Sequence, residues 1–549
     1  MGNHASQRVE TRDILYSEAM RIHLSNLCNL NFLTAAIAVA VFSVLSCSDL
    51  LAQYSLLDTS TPYIGISQRD VTAEDVQENG LDEAKGVVVL LAAPETPLFN
   101  AGVREGDVLI RWGDTELKTA SHLKGLLDGD LEIGQTVDLE VMRDGESISM
   151  DLELTPMSVP QRIKAVEYLA ENDNHEAAIF LYRTFWNGHE KVKVDEDRAM
   201  KWLLHAAVQG SPAAQAIMAV HYRTGVHVKQ DLEKALRWYE QAAEGGLSSG
   251  YVGIGTIYYD SFKGEEKKPA KAAEAFKKAA QQNDPWAWFH LGRMYWTGDY
   301  LKRNDEKAVG CFRKGKDIGD LPAAKLYLGF AHESGRGVVR NYPAAFQYYR
   351  SAAEAGDSAA CYAVGRFYYN GYATKKDVEE AAEWYEKAAK LGYTMAENDF
   401  ALLLLFGSGV SKDEARAVEL LRSAAKKGYV KSNTMLGQIY ENGDGVKKDF
   451  KQAAENYVIA ARAGDPSAQS ALASMVLQGR YYQKDDTAAL KWLQKAVEKN
   501  HPTAERLMGH MYEHGRAVPQ DRAEAIAWYL KAADHGDKWS ADHLKELQK

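Results

Sequence analysis

One phrase of this chain, "DSAACYAVGRFYYNGYATKKDVEEAAEWYEKAAKLG" from Asp357 to Gly392, returns in altered wording along most of its length. A Gly or Asn closes each copy, at Gly210, Gly246, Asn283, Gly319, Gly356, Gly392, Gly428, Gly464, Asn500 and Gly536. The spacings are 36 or 37 residues, which makes ten units. A small residue earlier in the unit keeps the same phase at Ala219, Gly255, Gly292, Gly329, Gly365, Ala401, Gly437, Ala473 and Gly509. Two landmarks in one phase define a tandem structural unit, and a unit this short can hide its apolar side only by leaning on its neighbours.

Each unit reads as two helices. Ala360, Val364, Gly365, Tyr368 and Tyr369 share one helical face, and Ala382, Tyr385, Ala388 and Ala389 share another. Asp377 with Glu380, and Asp521 with Glu524, carry the signature of a capped second helix. Gly392 stops that helix. A glycine in mid-helix costs about 0.5–1 kcal/mol against Ala, so its recurrence calls for a gain, expected as close backbone approach between packed helices. Trp202, Trp238, Trp384, Trp492 and Trp528 occupy one unit position and are expected in the core, whereas Trp288 and Trp296 fall off it and are candidate surface anchors. "QRIKAVEYLAEN" from Gln161 reads as a second helix without its first, and "KWSADHLKEL" from Lys538 as a first without its second, as polar end caps require.

The wording "LGFAHESGRGVVRNYPAAFQYYRSAAEAG" to Gly356, repeated closely at Gly365–Gly392, Gly437–Gly464 and Gly509–Gly536, resembles the Sel1-like repeat, a relative of the tetratricopeptide repeat. The resemblance covers about residues 174–536. It implies an α-solenoid that serves as a scaffold for protein partners rather than as a catalyst.

The charge balance, 65 Lys and Arg against 76 Asp and Glu, is spread along the chain without a basic stripe, which argues against nucleic acid as a partner. Four cysteines are too few for a disulfide framework. Cys311 and Cys361 lie a whole unit apart, beyond the roughly 7 Å that a bridge tolerates, and read as buried free thiols.

Residues 1–52 read as a leader, with Met20 before Arg21 as an alternative start. "FLTAAIAVAVFSVL" from Phe32 is shorter than the roughly 20 residues that span a bilayer and fits the apolar region of a signal peptide. Cleavage after Ala52, lipidation at Cys47 and retention as an anchor are its three open fates. The opening "MGNHAS" fits a myristoylation pattern, but an export signal further on separates Gly2 from the acylating enzyme.

After a linker at 53–61 the period changes to two. "GVVVLLA" from Gly86 and "VDLEVMRDGESISMDLEL" from Val137 read as strands, the last two joined through Asp144 and Gly145, with a short helix near His122 to Leu127. "YIGI" at Tyr63–Ile66, "GVVV" at Gly86 and "AGVREGDVLI" at Ala101–Ile110 resemble a PDZ domain of the bacterial serine-protease-associated kind, spanning 62–157. That family binds an extended peptide, usually a C-terminus, as an added strand. Carried over, Tyr63, Ile64, Gly65 and Ile66 would form the carboxylate loop and the first groove strand. His122 would stand near the start of the groove helix, and Leu126 would line the pocket or the core.

Three patterns look catalytic. His510, Glu513 and His514 match an inverted zinc-protease spacing, but they occupy the variable positions of their unit. Ser248 in "GLSSG" lacks the strand that a nucleophile elbow needs, and Ser423 with Lys426 lies in an ordinary second helix.

The expectation is a multidomain chain, a small α+β PDZ-like domain followed by an all-α solenoid of helix-turn-helix repeats, with capping helices at 161–173 and 537–549. It needs no cofactor or metal. The function expected is an exported scaffold, periplasmic or attached to the cell envelope through Cys47 or an uncleaved leader, that binds C-terminal or extended peptides and a second protein. The alternatives are a regulatory subunit of an envelope protease or polymer-export machine, and a zinc or serine hydrolase.

Overall fold

The computed structural model describes residues 63–64, 66–79, 81, 83–127, 131–188, 191–260 and 268–547. The leader, Cys47 and Gly65 lie outside the described residues. The chain divides into two compact units, one ending at Arg303 and the other running from Asn304 to Lys549.

The first unit opens with a six-stranded antiparallel sheet in the order β1-β2-β3-β5-β6. Its strands are β1 (Ile66–Asp70), β2 (Val87–Ala92), β3 (Val108–Trp112), β4 (Thr115–Glu116, paired to β3), β5 (Thr136–Arg143) and β6 (Glu146–Glu153). Three helices interleave with them, α1 (Ala73–Glu78), α2 (Pro97–Asn100) and α3 (Ala120–Leu127). The β5–β6 hairpin turns on Asp144 and Gly145, at φ 51° and 80°. Two positive φ values give the turn a hand that matches strand twist. The core gathers Val87, Val89, Leu98, Leu109, Leu123, Leu139 and Leu152, all fully buried.

Ser158 then opens α4 (Val159–Glu171) with a capping box to Gln161, and Pro160 sits in its first turn, where the missing N–H costs nothing. After it come α5 (His175–Asn187) and α6 (Glu196–Val208), the first complete hairpin. Two further hairpins follow, Pro212–Thr224 with Leu232–Glu244 and Ser248–Tyr259 with Pro269–Gln281, and then the helix Pro285–Thr297. Within this unit each hairpin packs on the next. The second unit starts with the helix Asp305–Gly319 and repeats the same hairpin to the final helix, Lys538–Leu547. Consecutive hairpins pack on one another here too, as the apolar periodicity requires.

The mid-helix glycines make room for a ring rather than for a backbone. A Cβ on Gly365, Gly437 or Gly509 would stand 2.6, 2.5 or 2.6 Å from Tyr385, Tyr457 or Tyr529 of the same hairpin. Gly255 stands in the same way under Phe276. At two of the three alanine positions, Ala401 and Ala473, Leu421 and Leu493 replace the ring, while Ala219 keeps the Tyr239 ring in its cluster. Close approach was the expected gain, and the partner that approaches is a side chain.

Of the tryptophans expected in the core, only Trp202 is fully buried; Trp238, Trp384, Trp492 and Trp528 are half-buried. Each stands one residue before the buried Tyr or Leu of its helix, so it turns to the edge of the apolar face. Lysine ammonium groups stand over three of them, the Nζ of Lys387, Lys495 and Lys531 lying 4.7, 4.7 and 4.1 Å from the ring centroids of Trp384, Trp492 and Trp528. The unit expected to close at Gly319 closes at Asp320 instead, in the left-handed region at φ 48°, because its helix runs through the glycine.

Glutamate staples join neighbouring hairpins. Glu333 accepts from Tyr349 Oη of its own hairpin and from Arg366 of the next, both at 2.5 Å. Glu441 takes Tyr457 Oη at 2.9 Å and Arg480 at 2.7 Å. Glu513 takes Tyr529 Oη at 2.7 Å and His543 at 3.3 Å.

Candidate functional site

Among the described residues strand β1 pairs with β2 alone and ends the sheet, so its other edge carries backbone donors and acceptors with no strand beside them there. Such an edge is a template for one more strand. Helix α3 stands beside it. Asp70 at the end of β1 accepts the amide of Ala120 at 2.6 Å, which fixes the start of α3 against the strand. A groove therefore lies between a free strand edge and a helix.

Four of the residues expected at this groove are described around it. Ile66 on β1 and Leu126 on α3 are half-buried against the same domain core, while Leu123 between them in that core is fully buried. His122 is half-buried at the third position of α3, and its backbone amide is held by Thr119. His122 Nδ1 and the Gln68 Oε1 of β1 are buried with no hydrogen-bond partner among the described residues. An unpaired buried polar atom costs about 1–3 kcal/mol, so both atoms favour a ligand that brings partners. Gln68 carried no signal in the sequence, since a glutamine in a strand reads as a solvated position. Ile64 is buried in the domain core.

Tyr63 turns the other way. Alternation along the strand sends Ile64 and Ile66 inward and Tyr63 and Ser67 outward, toward the repeats. The Tyr63 ring joins a core built from Ala93, Leu91, Met157, Val166, Ala170 and Ala178. Burial holds its phenol well above the ordinary range, against the opposing charge of Arg162. The Arg162 guanidinium is fully buried, 5.8 Å from the Tyr63 ring centroid, and its Nε donates to Met157 O at 3.3 Å. Asn174, the N-cap of α5, donates to Ser67 Oγ at 2.8 Å. Arg162 falls in the segment that reads as a polar end cap and Asn174 at the first residue of the repeats; an arginine inside "QRIKAVEYLAEN" gives no sign of the partner it meets.

The catalytic patterns find other uses. The His510 and His514 rings stack at 4.2 Å, and Glu513 is held by Tyr529 and His543. Among the described residues no group of three or more His, Cys, Asp or Glu side chains could hold a metal ion. Ser248 donates to Asp284 at 2.7 Å in the first turn of a helix. Ser423 donates to Glu397 at 3.0 Å, and Lys426 is exposed. Trp288 and Trp296 are half-buried. No described helix is long and apolar enough to cross a membrane.

A PDZ domain model matches residues 62–154. A Sel1 repeat model matches ten segments, from 177–211 to 502–537. Both are non-catalytic interaction modules. An uncharacterized protein of Neisseria meningitidis serogroup B is 30% identical over 155 residues, 28% of this chain and 32% of its own length. A probable periplasmic serine endoprotease, DegP-like, of Rickettsia prowazekii is 28% identical over 92 residues, 17% of this chain and 18% of its own. The chain thus spans less than a third of the length of either relative. Among solved structures, c5321, a protective antigen of uropathogenic Escherichia coli with an SLR fold, is 25% identical. That likeness covers 70% of this chain and 90% of c5321, at a TM-score of 0.43. A Sel1 repeat protein from Oxalobacter formigenes is 28% identical, covering 45% and 96%, at a TM-score of 0.42.

Proposed function

The chain belongs to the Sel1 repeat family and carries a PDZ domain ahead of its repeats, and from that premise we propose that it is an exported adaptor for two protein ligands. The PDZ groove takes a peptide terminus by strand addition, and the repeats hold a second protein. The observation that carries this reading is the free edge of β1 beside α3. Main-chain bonds to such an edge give affinity, and side-chain pockets along it give selectivity. Joining two modest sites on one chain raises avidity when a single complex engages both.

The leader supports export, and similarity to a probable periplasmic serine endoprotease of Rickettsia agrees with an envelope setting. Similarity to that protease also favours a second reading, a regulatory subunit of an envelope protease. Lipidation at Cys47 or an uncleaved leader would hold the protein at the membrane.

The test is selection of random heptapeptides displayed with free C-termini against the full chain, then titration of the enriched peptide on wild type, Gly65→Trp and His122→Ala. Binding should fall at least about tenfold in Gly65→Trp, which fills the loop where backbone must come close. Unchanged binding in that variant, or no enriched peptide, overturns the groove. Fusing residues 1–52 to a phosphatase that is active only after export tests the location.

A further inference from the structure

We infer that the repeats carry a docking groove for an amphipathic helix of a partner protein, lined by Tyr369, Leu402 and Phe406, and that the partner helix bears acidic residues on one flank. The inference rests on the reading that the repeats hold a second protein. It adds where that protein docks and what chemistry it brings.

At this groove the chain departs from its own repeat. Phe406 ends the helix Thr394–Phe406. By the period of 36 or 37 residues its place is polar in every other unit, as at Ser334, Asn370, Asn442, Gln478 and His514. Glu333 and Arg366 pair across neighbouring hairpins at 2.5 Å, and 36 residues on the same two places hold Tyr369 and Leu402. Two apolar side chains thus stand where the previous unit has an ion pair.

The helices Ser358–Asn370 and Thr394–Phe406 lie side by side, since Tyr362 Oη donates to Asp399 at 2.8 Å. Beyond that bond Tyr369 continues the face of Tyr362, seven residues on, and Leu402 and Phe406 continue the face of Asp399, three and seven residues on. The core is already filled from this helix by Phe400, Leu403 and Leu404, all buried. Tyr369 is 40% exposed and Phe406 69%, with Leu402 half-buried between them. One exposed apolar side chain is ordinary, but three along one groove mark a binding surface.

The walls and the rim decide what fits. Both walls are helices whose backbone groups bond within the helix, so a partner strand finds nothing to pair with. A partner helix can seat apolar side chains at i, i+3, i+4 and i+7 between them. The rim is basic. Lys376 Nζ lies 5.4 Å from the Tyr369 ring centroid, with Lys375 exposed next to it, and Lys412 stands beside Gly407, the residue after Phe406. Acids near them in sequence are already engaged: Asp377 and Asp413 accept helix amides, and Glu414 pairs with Lys412. Lys375 and Lys376 have no ion pair among the described residues. Carboxylates on the flank of the partner helix complement them.

The probe is a displayed library of helical peptides of about 18 residues, five turns, with apolar residues at i, i+3, i+4 and i+7 and the other positions drawn from Ala, Gln, Lys and Glu. Selection on the full chain should enrich Glu over Lys on one flank of the stripe. The enriched peptide is titrated on wild type, Phe406→Asn, Leu402→Gln and Lys376→Glu. Asn442 and Gln438 already hold these two apolar places one unit on, so the first two variants keep the repeat intact. Each should weaken binding at least about tenfold, and Lys376→Glu about threefold or more. The Lys376 effect should shrink at high salt. Exchanging the enriched Glu for Lys in the peptide should cost wild type at least about tenfold, an arm that needs no variant to fold. A peptide that binds Phe406→Asn as well as wild type docks elsewhere and overturns the inference alone, while no enriched peptide overturns it together with the reading beneath it. Self-association of wild type that Phe406→Asn abolishes would put a second copy in the groove, and binding to phosphatidylcholine vesicles that the same variant loses would put lipid there; either result overturns the partner helix.

Discussion

The ring of Tyr457 lies over the α-carbon of Gly437, so close that a Cβ there would stand 2.5 Å from it, and the same tyrosine donates its hydroxyl to Glu441 one helical turn on. The three residues make one lock, in which the glycine admits the ring and the glutamate holds its end. Gly437→Ala should destabilise the protein by about 1–3 kcal/mol through overpacking, despite the roughly 1 kcal/mol that alanine gains as a helix former. Pairing it with Tyr457→Leu should recover much of that loss, since the chain already uses Ala401 with Leu421 and Ala473 with Leu493. A double-mutant cycle by urea unfolding checks this, and strictly additive effects would refute the lock.

The period of the units made the helical hairpins legible, because a register of about 36 residues leaves each unit only its neighbours to bury against. The strands of the first domain were legible too, where "GVVV" and the Asp144–Gly145 turn carry strong local signals. What could not be read was everything that depends on two distant segments meeting. Arg162 and Tyr63 are each ordinary in their own segment, and the lock partner of Gly437 lies on the other helix. Trp384 misled for a related reason: its period marks the helix, and only its one-residue offset from Tyr385 decides which of the two faces the core.

Asp75 accepts both arms of Arg69, at 2.5 and 2.7 Å, and closes the cap of α1 with Thr72. The Arg69 bonds, aided by Thr72 and opposed by burial, hold its carboxyl well below the usual range. A depressed folded value means that this contribution is present above the unfolded pKa, about 3.9, and is lost as pH falls through the folded value. Hydrogen exchange of residues 66–79 should therefore quicken on acidification below about pH 4 in the wild type. Asp75→Asn should exchange faster at neutral pH by about 1–3 kcal/mol of lost protection and show a flatter acid limb. Parallel acid limbs in the two proteins would show that Asp75 does not carry the effect.

Cys311 and Cys361 are buried free thiols, and burial pushes both up to about 11. The thiolate is the reacting form, so both should resist a disulfide reagent at about pH 8 in native protein and react once urea unfolds the repeats. Fast labelling of native protein would place them in an open, mobile segment, against their packing.

Two residues past the glycine that caps a unit's first helix, the chain enters the left-handed region again. Gly337, Gly409 and Gly445 fill this place at φ 67°, 70° and 67°, but Ala373, Tyr481 and Ala517 hold it at 61°, 69° and 54°. A side chain there costs about 1 kcal/mol that glycine does not. Ala373→Gly and Ala517→Gly should each raise stability, by about 0.5–1 kcal/mol once the looser unfolded chain is counted. The reverse change should cost more than that gain. A Cβ on Gly445 would run into Glu414 of the preceding hairpin, so Gly445→Ala adds a clash to the strain. Thermal unfolding of the three variants measures both signs, and a stabilising Gly445→Ala would mean that the loop does not press on the hairpin before it.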